Sequence, residues 1–140
     1  MIEKIILDNI IYAIIIRNNY TSNGIEFFTP NSFSQQIGYM KREKGYEIQP
    51  HIHQIKTREV HITQEVLYVK SGEIQVDFYN EEQDYLLSKI ILKGDLILLS
   101  SGGHGFTFLE ESEIIEIKQG PFIGEEDKIR FNSNKKEINE

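Results

Sequence analysis

The chain predicts an all-β domain, a closed barrel or jelly roll, on three observations. Its apolar residues fall in short runs rich in β-branched side chains. Clusters of Gly, Asn, Asp, Ser and Pro separate those runs at about 8 to 12 residues, the spacing of many short strands joined by turns. No amphipathic helix longer than three turns can be drawn on the sequence. With 140 residues, one domain is expected, spanning 1–131, followed by a polar, fraying tail over 132–140.

The elements follow in order. The isoleucine-rich start predicts strands over Lys4 to Leu7 and Ile11 to Arg17, split by a turn at Asp8-Asn9. After the turn cluster at 18–24, a short strand is stopped by Pro30, and another covers Ser34 to Lys41. Glu65 to Lys70 and Glu73 to Tyr79 predict a hairpin across Ser71-Gly72. In its second strand Ile74, Val76 and Phe78 alternate with polar positions, so one face turns inward. Leu86 to Leu92, the wholly apolar Leu96 to Leu99, Phe106 to Leu109 and Ile114 to Lys118 complete the strands.

Composition excludes several function classes. A net charge of -7 argues against a dedicated nucleic-acid binder, which needs a basic face, and against docking on anionic lipid. The absence of cysteine removes disulfides, thiolate metal sites and cysteine nucleophiles together. The apolar run Ile10 to Ile16 is too short to span a bilayer, and no small-residue cleavage site follows it. A cytoplasmic protein is expected.

The residues that point to chemistry begin at Gly45 to Gly72. His51 and His53 stand two apart, so on a strand they would offer two imidazoles to one point. Pro50 fixes the backbone just before them. Glu65 opens a strand after a loop, and His104 follows a Gly-rich corner in SSGGHGF. Three imidazoles and a carboxylate suit a divalent ion such as Fe, Mn, Ni or Zn. The alternative is a set of ordinary surface histidines around a metal-free pocket. A second register, Glu59-x-His61 with Glu65, has similar spacing but leaves His51 and His53 without a role. Lys56 and Arg58, in the loop between His53 and Glu65, are candidates to grip a carboxylate or phosphate, with His61 as a further substrate contact. Tyr68 is three residues past Glu65 and faces away from it; Gln64 is a lesser candidate. Glu116 and Lys118 share one face of the last strand. They form a site pair if that face lines the interior and a solubilising pair if it does not. The acidic run Glu110, Glu111 and Glu113 reads as a solvated turn. No catalytic residue is assigned.

These motifs resemble those of the cupin superfamily. Gly45-x5-His51-x-His53 and Glu65-x6-Gly72 match the two halves of its first motif, with eleven residues between them in place of three or four. Such an insertion falls in a loop, where added length costs little. Gly94-Asp95, Gly102 and His104 follow its second motif, with Ser100 in place of Pro and Phe108 in place of Asn. The resemblance covers 45–108 and implies a double-stranded β-helix, a metal held by His51, His53, Glu65 and His104, and a homodimer. The segment GPFIGEEDKIRF is similar to the tail of cupin-type sugar-nucleotide ketoisomerases and epimerases, which would imply metal-free proton transfer with His51 or His53 as base. A non-catalytic sensor of carbohydrate or another small molecule is the third use the resemblance allows. Phe122 and Phe131 are expected to dock the tail onto the domain.

Overall fold

The structure, a computed structural model, describes residues 1–136. Its ten strands are β1 (Ile2–Leu7), β2 (Ile10–Ile16), β3 (Gly24–Phe27), β4 (Gly38–Lys41), β5 (Glu65–Ser71), β6 (Glu73–Tyr79), β7 (Tyr85–Leu92), β8 (Leu96–Leu99), β9 (Gly103–Phe108) and β10 (Glu113–Lys118). The described residues add only a 3-10 turn at Gly124–Asp127. A five-stranded sheet has the order β1-β2-β8-β5-β10, a three-stranded sheet the order β7-β6-β9, and β3 and β4 form a separate pair. Every pairing is antiparallel. The molecule is all-β, as its sequence predicts; among the described residues the two larger sheets are open and do not close into a barrel.

Local chemistry explains the turns. Asp8 and Asn9 both take positive φ (49° and 62°), which a tight two-residue hairpin requires and which these side chains tolerate. The expected hairpin across Ser71-Gly72 is not one. β5 pairs with β8 and β10, whereas β6 pairs with β7 and β9, so the chain changes sheets at Gly72. Gly72 has φ 86°, and a methyl there would overlap Ser112, which bonds the Glu73 backbone. Period-two patterning identifies a strand but not its neighbour, and a Gly corner serves either purpose.

Two apolar clusters hold the layers. Between the large sheets lie Ala13, Ile15, Leu67, Val69, Ile74, Val76, Phe78, Ile97 and Leu99. The opposite face of the five-stranded sheet carries Ile14, Val66 and Leu98, capped by Phe28 and Ile37 beside the β3–β4 pair. Its central strands are therefore buried on both sides, which is why Leu96 to Leu99 is apolar throughout. The tail covers the other face of β6. Phe131 meets Tyr79 edge-on at 5.0 Å, Ser133 accepts from the Tyr79 hydroxyl, and Lys135 pairs with Asp77 at 3.0 Å. Ser133, Asn134 and Lys135 of the tail expected to fray thus bond to the domain, and 137–140 lie outside the described residues. Phe131 docks as expected, but Phe122 is largely exposed. No helix among the described residues is long and apolar enough to cross a membrane.

Candidate functional site

The site grows from the first residue of β5. Glu65 shares parity with Leu67 and Val69, both in the core, so its side chain enters the space between the sheets. It is only 8% exposed. From the opposite sheet, His104 stands across from the buried Phe78 in the β6–β9 register and turns inward too. The corner at Ser100 to Gly102 makes this possible: Gly102 has φ 68° and lies against the Tyr79 carbonyl and the Tyr12 ring. His104 Nε2 comes to 3.1 Å from Glu65 Oε1, joining the two sheets at one open end of the sandwich. Phe106 lies beside the imidazole, with ring centroids 5.2 Å apart.

The β5–β10 register settles which face Glu116 and Lys118 occupy. Glu116 stands opposite Leu67 and Lys118 opposite Glu65, so both lie on the inner face, while Ile115 and Ile117 point out. The hydrogen bond to His104 outweighs burial and pulls the Glu65 carboxyl down to about 2, with help from Glu116. The hydrogen bond with Glu65, burial and the adjacent negative charge push the Glu116 carboxyl up. Lys128, and Lys118 beside Glu116, add positive charge to this end.

The remaining candidates lie elsewhere. His51 and His53 fall in 42–64, which forms no strand among the described residues, and both are exposed. Their rings meet edge-on at 5.4 Å, and His51 Nδ1 lies 2.9 Å from the Gln49 carbonyl oxygen. The two-residue spacing converges side chains only on an extended, paired strand, and this segment has no partner to hold it so. The structure brings Glu65 and His104 together and leaves His51 and His53 apart from them. Among the described residues no three His, Asp or Glu side chains gather as a metal-holding group. Lys56 and Arg58 are exposed, and His61 is exposed with Glu59 at 3.5 Å. Gln64 is structural: it is buried, accepts from the Gln35 amide, and its carbonyl oxygen accepts from the Gln35 side chain and the Gln119 N–H. Tyr68 is on the outer face, as its spacing from Glu65 predicts.

A cavity of about 260 Å³ adjoins this end. His61, Thr63, Lys118, Pro121, Phe122 and Asp127 contribute to its wall, and Thr63 donates to Asp127 at 2.6 Å. Nothing in the stretch GPFIGEEDKIRF as a sequence singles out Asp127. Only the 3-10 turn that returns it to Thr63 gives it a place. Comparison with protein-family models, with curated proteins and with solved structures finds no match for the chain.

Proposed function

We propose that the chain is a metal-binding protein of cupin type, its sheets forming a double-stranded β-helix, and that its open end takes up a small polar metabolite, carbohydrate-like or carboxylate-bearing. The observation that carries this reading is the convergence of Glu65 and His104 from opposite sheets onto one buried point. An imidazole nitrogen and a carboxylate oxygen are donors that suit Fe, Mn, Ni or Zn. Their 3.1 Å separation fits neighbouring positions around an ion whose bonds are about 2.0 to 2.2 Å long. His51 and His53 are the imidazoles available to complete the set. The ion would supply Lewis acidity toward a substrate oxygen. Lys118, on the inner face and in the cavity wall, would hold an anionic group of the ligand, and Lys56, Arg58 and His61 would add contacts from the exposed segment. Metal analysis of protein purified without chelator tests this. About one equivalent per chain, lost in Glu65→Gln and His104→Ala, is expected; a content far below that refutes it.

One observation favours a second reading, a metal-independent sugar-nucleotide isomerase or epimerase. Glu116, its carboxyl pushed up, sits against Glu65 and one step from His104, an arrangement suited to passing a proton. A nucleotide-sugar panel in a thermal-shift assay separates the readings, because a ligand that binds only the native state raises its unfolding temperature. No shift across the panel would remove the second reading.

A further inference from the structure

Of strands β5 to β10, three (β10-β5-β8) lie in the five-stranded sheet and three (β9-β6-β7) in the sheet that faces it across the core. A double-sheet jelly roll has eight strands in two Greek keys, four to each sheet. With β2 and β1 added beyond β8 the first sheet has five strands, whereas the β7-β6-β9 sheet has only three and ends at β9. Side-chain exposure marks the gap. Phe106 and Phe108 stand opposite Val76 and Ile74, residues of the core, and so face inward, yet Phe108 is 58% exposed. Glu116 also faces inward and is exposed. The inner face is open to water here because nothing among the described residues lies along the β9 edge.

The same chain carries a segment with the opposite defect. Between Glu47 and Thr63 no backbone group bonds another backbone group among the described residues. Ile52 and Ile55 are 90% and 101% exposed, and Ile48, Val60 and Ile62 are exposed as well. The base of this arm is fixed: Gln64 is held by Gln35 and Gln119, and Thr63 by Asp127. At its start, Tyr46 stacks under Arg42 at 4.5 Å and donates its N–H to the Glu43 carbonyl. Val60 to Thr63 lie against the domain in the cavity wall, and the arm before them is exposed from Glu47 to Glu59. His51, His53 and Ile55 have the same parity, so once paired as a strand they present one face.

We propose that the arm of one copy pairs along the β9 edge of a second copy of this chain. There Ile55 covers the exposed phenylalanines, and His51 and His53 join the Glu65 and His104 of that other copy. Each chain has one arm and one β9 edge, so a two-fold exchange pairs both and closes without growing further. Added as a strand, the arm gains main-chain hydrogen bonds along the edge and specificity from alternate side chains. The histidine placement rests on the metal-binding reading; the arm exchange does not.

The test uses the full chain. Mass in solution is measured by light scattering for the wild type, for Ile55→Asp on the arm and for Phe108→Asp on the edge; both positions are exposed, and circular dichroism checks the fold. A dimeric wild type and monomeric variants are expected. A monomeric wild type, or a dimer that persists in either variant, overturns the exchange. For the histidines, one copy carrying His51→Ala and His53→Ala is mixed and refolded with another carrying Glu65→Gln, and zinc content is read. Restoration to about one quarter of the wild-type content is expected, because half of randomly formed dimers are mixed and each rebuilds one of two sites. If wild type holds zinc but the mixture stays as empty as either parent, the histidines act within their own chain and that placement falls. If wild type itself holds no zinc, the metal-binding reading and the placement built on it both fail, while the mass measurements still decide the exchange.

Discussion

At the scale of single residues, two carboxylates of the site titrate in opposite senses. The Glu65 carboxyl is held at about 2 against an ordinary 4.5. A carboxyl depressed by folding stabilises the native state above its unfolded value and loses that contribution as acid protonates it. Unfolding midpoints of the metal-free protein should therefore fall as pH drops from about 4.5 towards 2, and Glu65→Gln should flatten that fall. Glu116 is raised, so the sign reverses: its folded form is favoured while protonated and penalised once ionised beside Glu65. Glu116→Gln should then stabilise the protein near neutral pH and do little in acid, which urea melts at the two pH values will show. A second charge cluster is purely structural. Arg17 donates to Asp95 at 2.8 Å, to Glu3 at 3.0 Å and to the Ile90 carbonyl, and Asp95 is only 1% exposed. Arg17→Met leaves that carboxylate buried without its countercharge, so a loss of about 3 kcal/mol is expected in chemical denaturation.

At the scale of elements, the corner before β9 aims His104. A methyl on Gly102 would overlap the Tyr79 carbonyl and approach the Tyr12 ring at 2.6 Å, at a φ of 68° that L residues avoid. Gly102→Ala should cost about 2 kcal/mol or more by denaturant midpoint and lower metal content along with it. Strands were legible where β-branched runs met turn residues: β2, β6 and β8 lie within a residue of their expected bounds, and the inward set Ile74, Val76 and Phe78 is buried. Partners were not legible. A strand's face follows from its own pattern, but its neighbour is fixed by packing across the whole chain. So Ser71-Gly72 read as a hairpin turn and is a change of sheet. The inner face of Glu116 and Lys118 came only with the β5–β10 register. His51 and His53 had the right spacing for a strand, yet 42–64 pairs with no strand among the described residues, and spacing alone cannot supply a ladder.

At the scale of the whole molecule, stability should be graded from the doubly covered strands outward. β2 and β8 lie between the two clusters, with Ile14, Ile15, Ile97 and Leu98 all without exposed surface. Their amides can exchange only when the domain opens globally, so they should be the slowest in a hydrogen-exchange experiment and track the unfolding free energy. Among the described residues the arm over 47–62 makes no backbone–backbone bond, and β9 has one unpaired edge. In dilute protein, amides in the arm and the outward amides of β9 should exchange within the dead time, while those of β9 bonded to β6 are retained. Raising the concentration adds a second copy by mass action, so protection should then appear in the arm and on the outer edge of β9 together, and leave β2 and β8 unchanged. Protection of the arm without β9, or of both at every concentration, would place the arm on something other than that edge of a second copy.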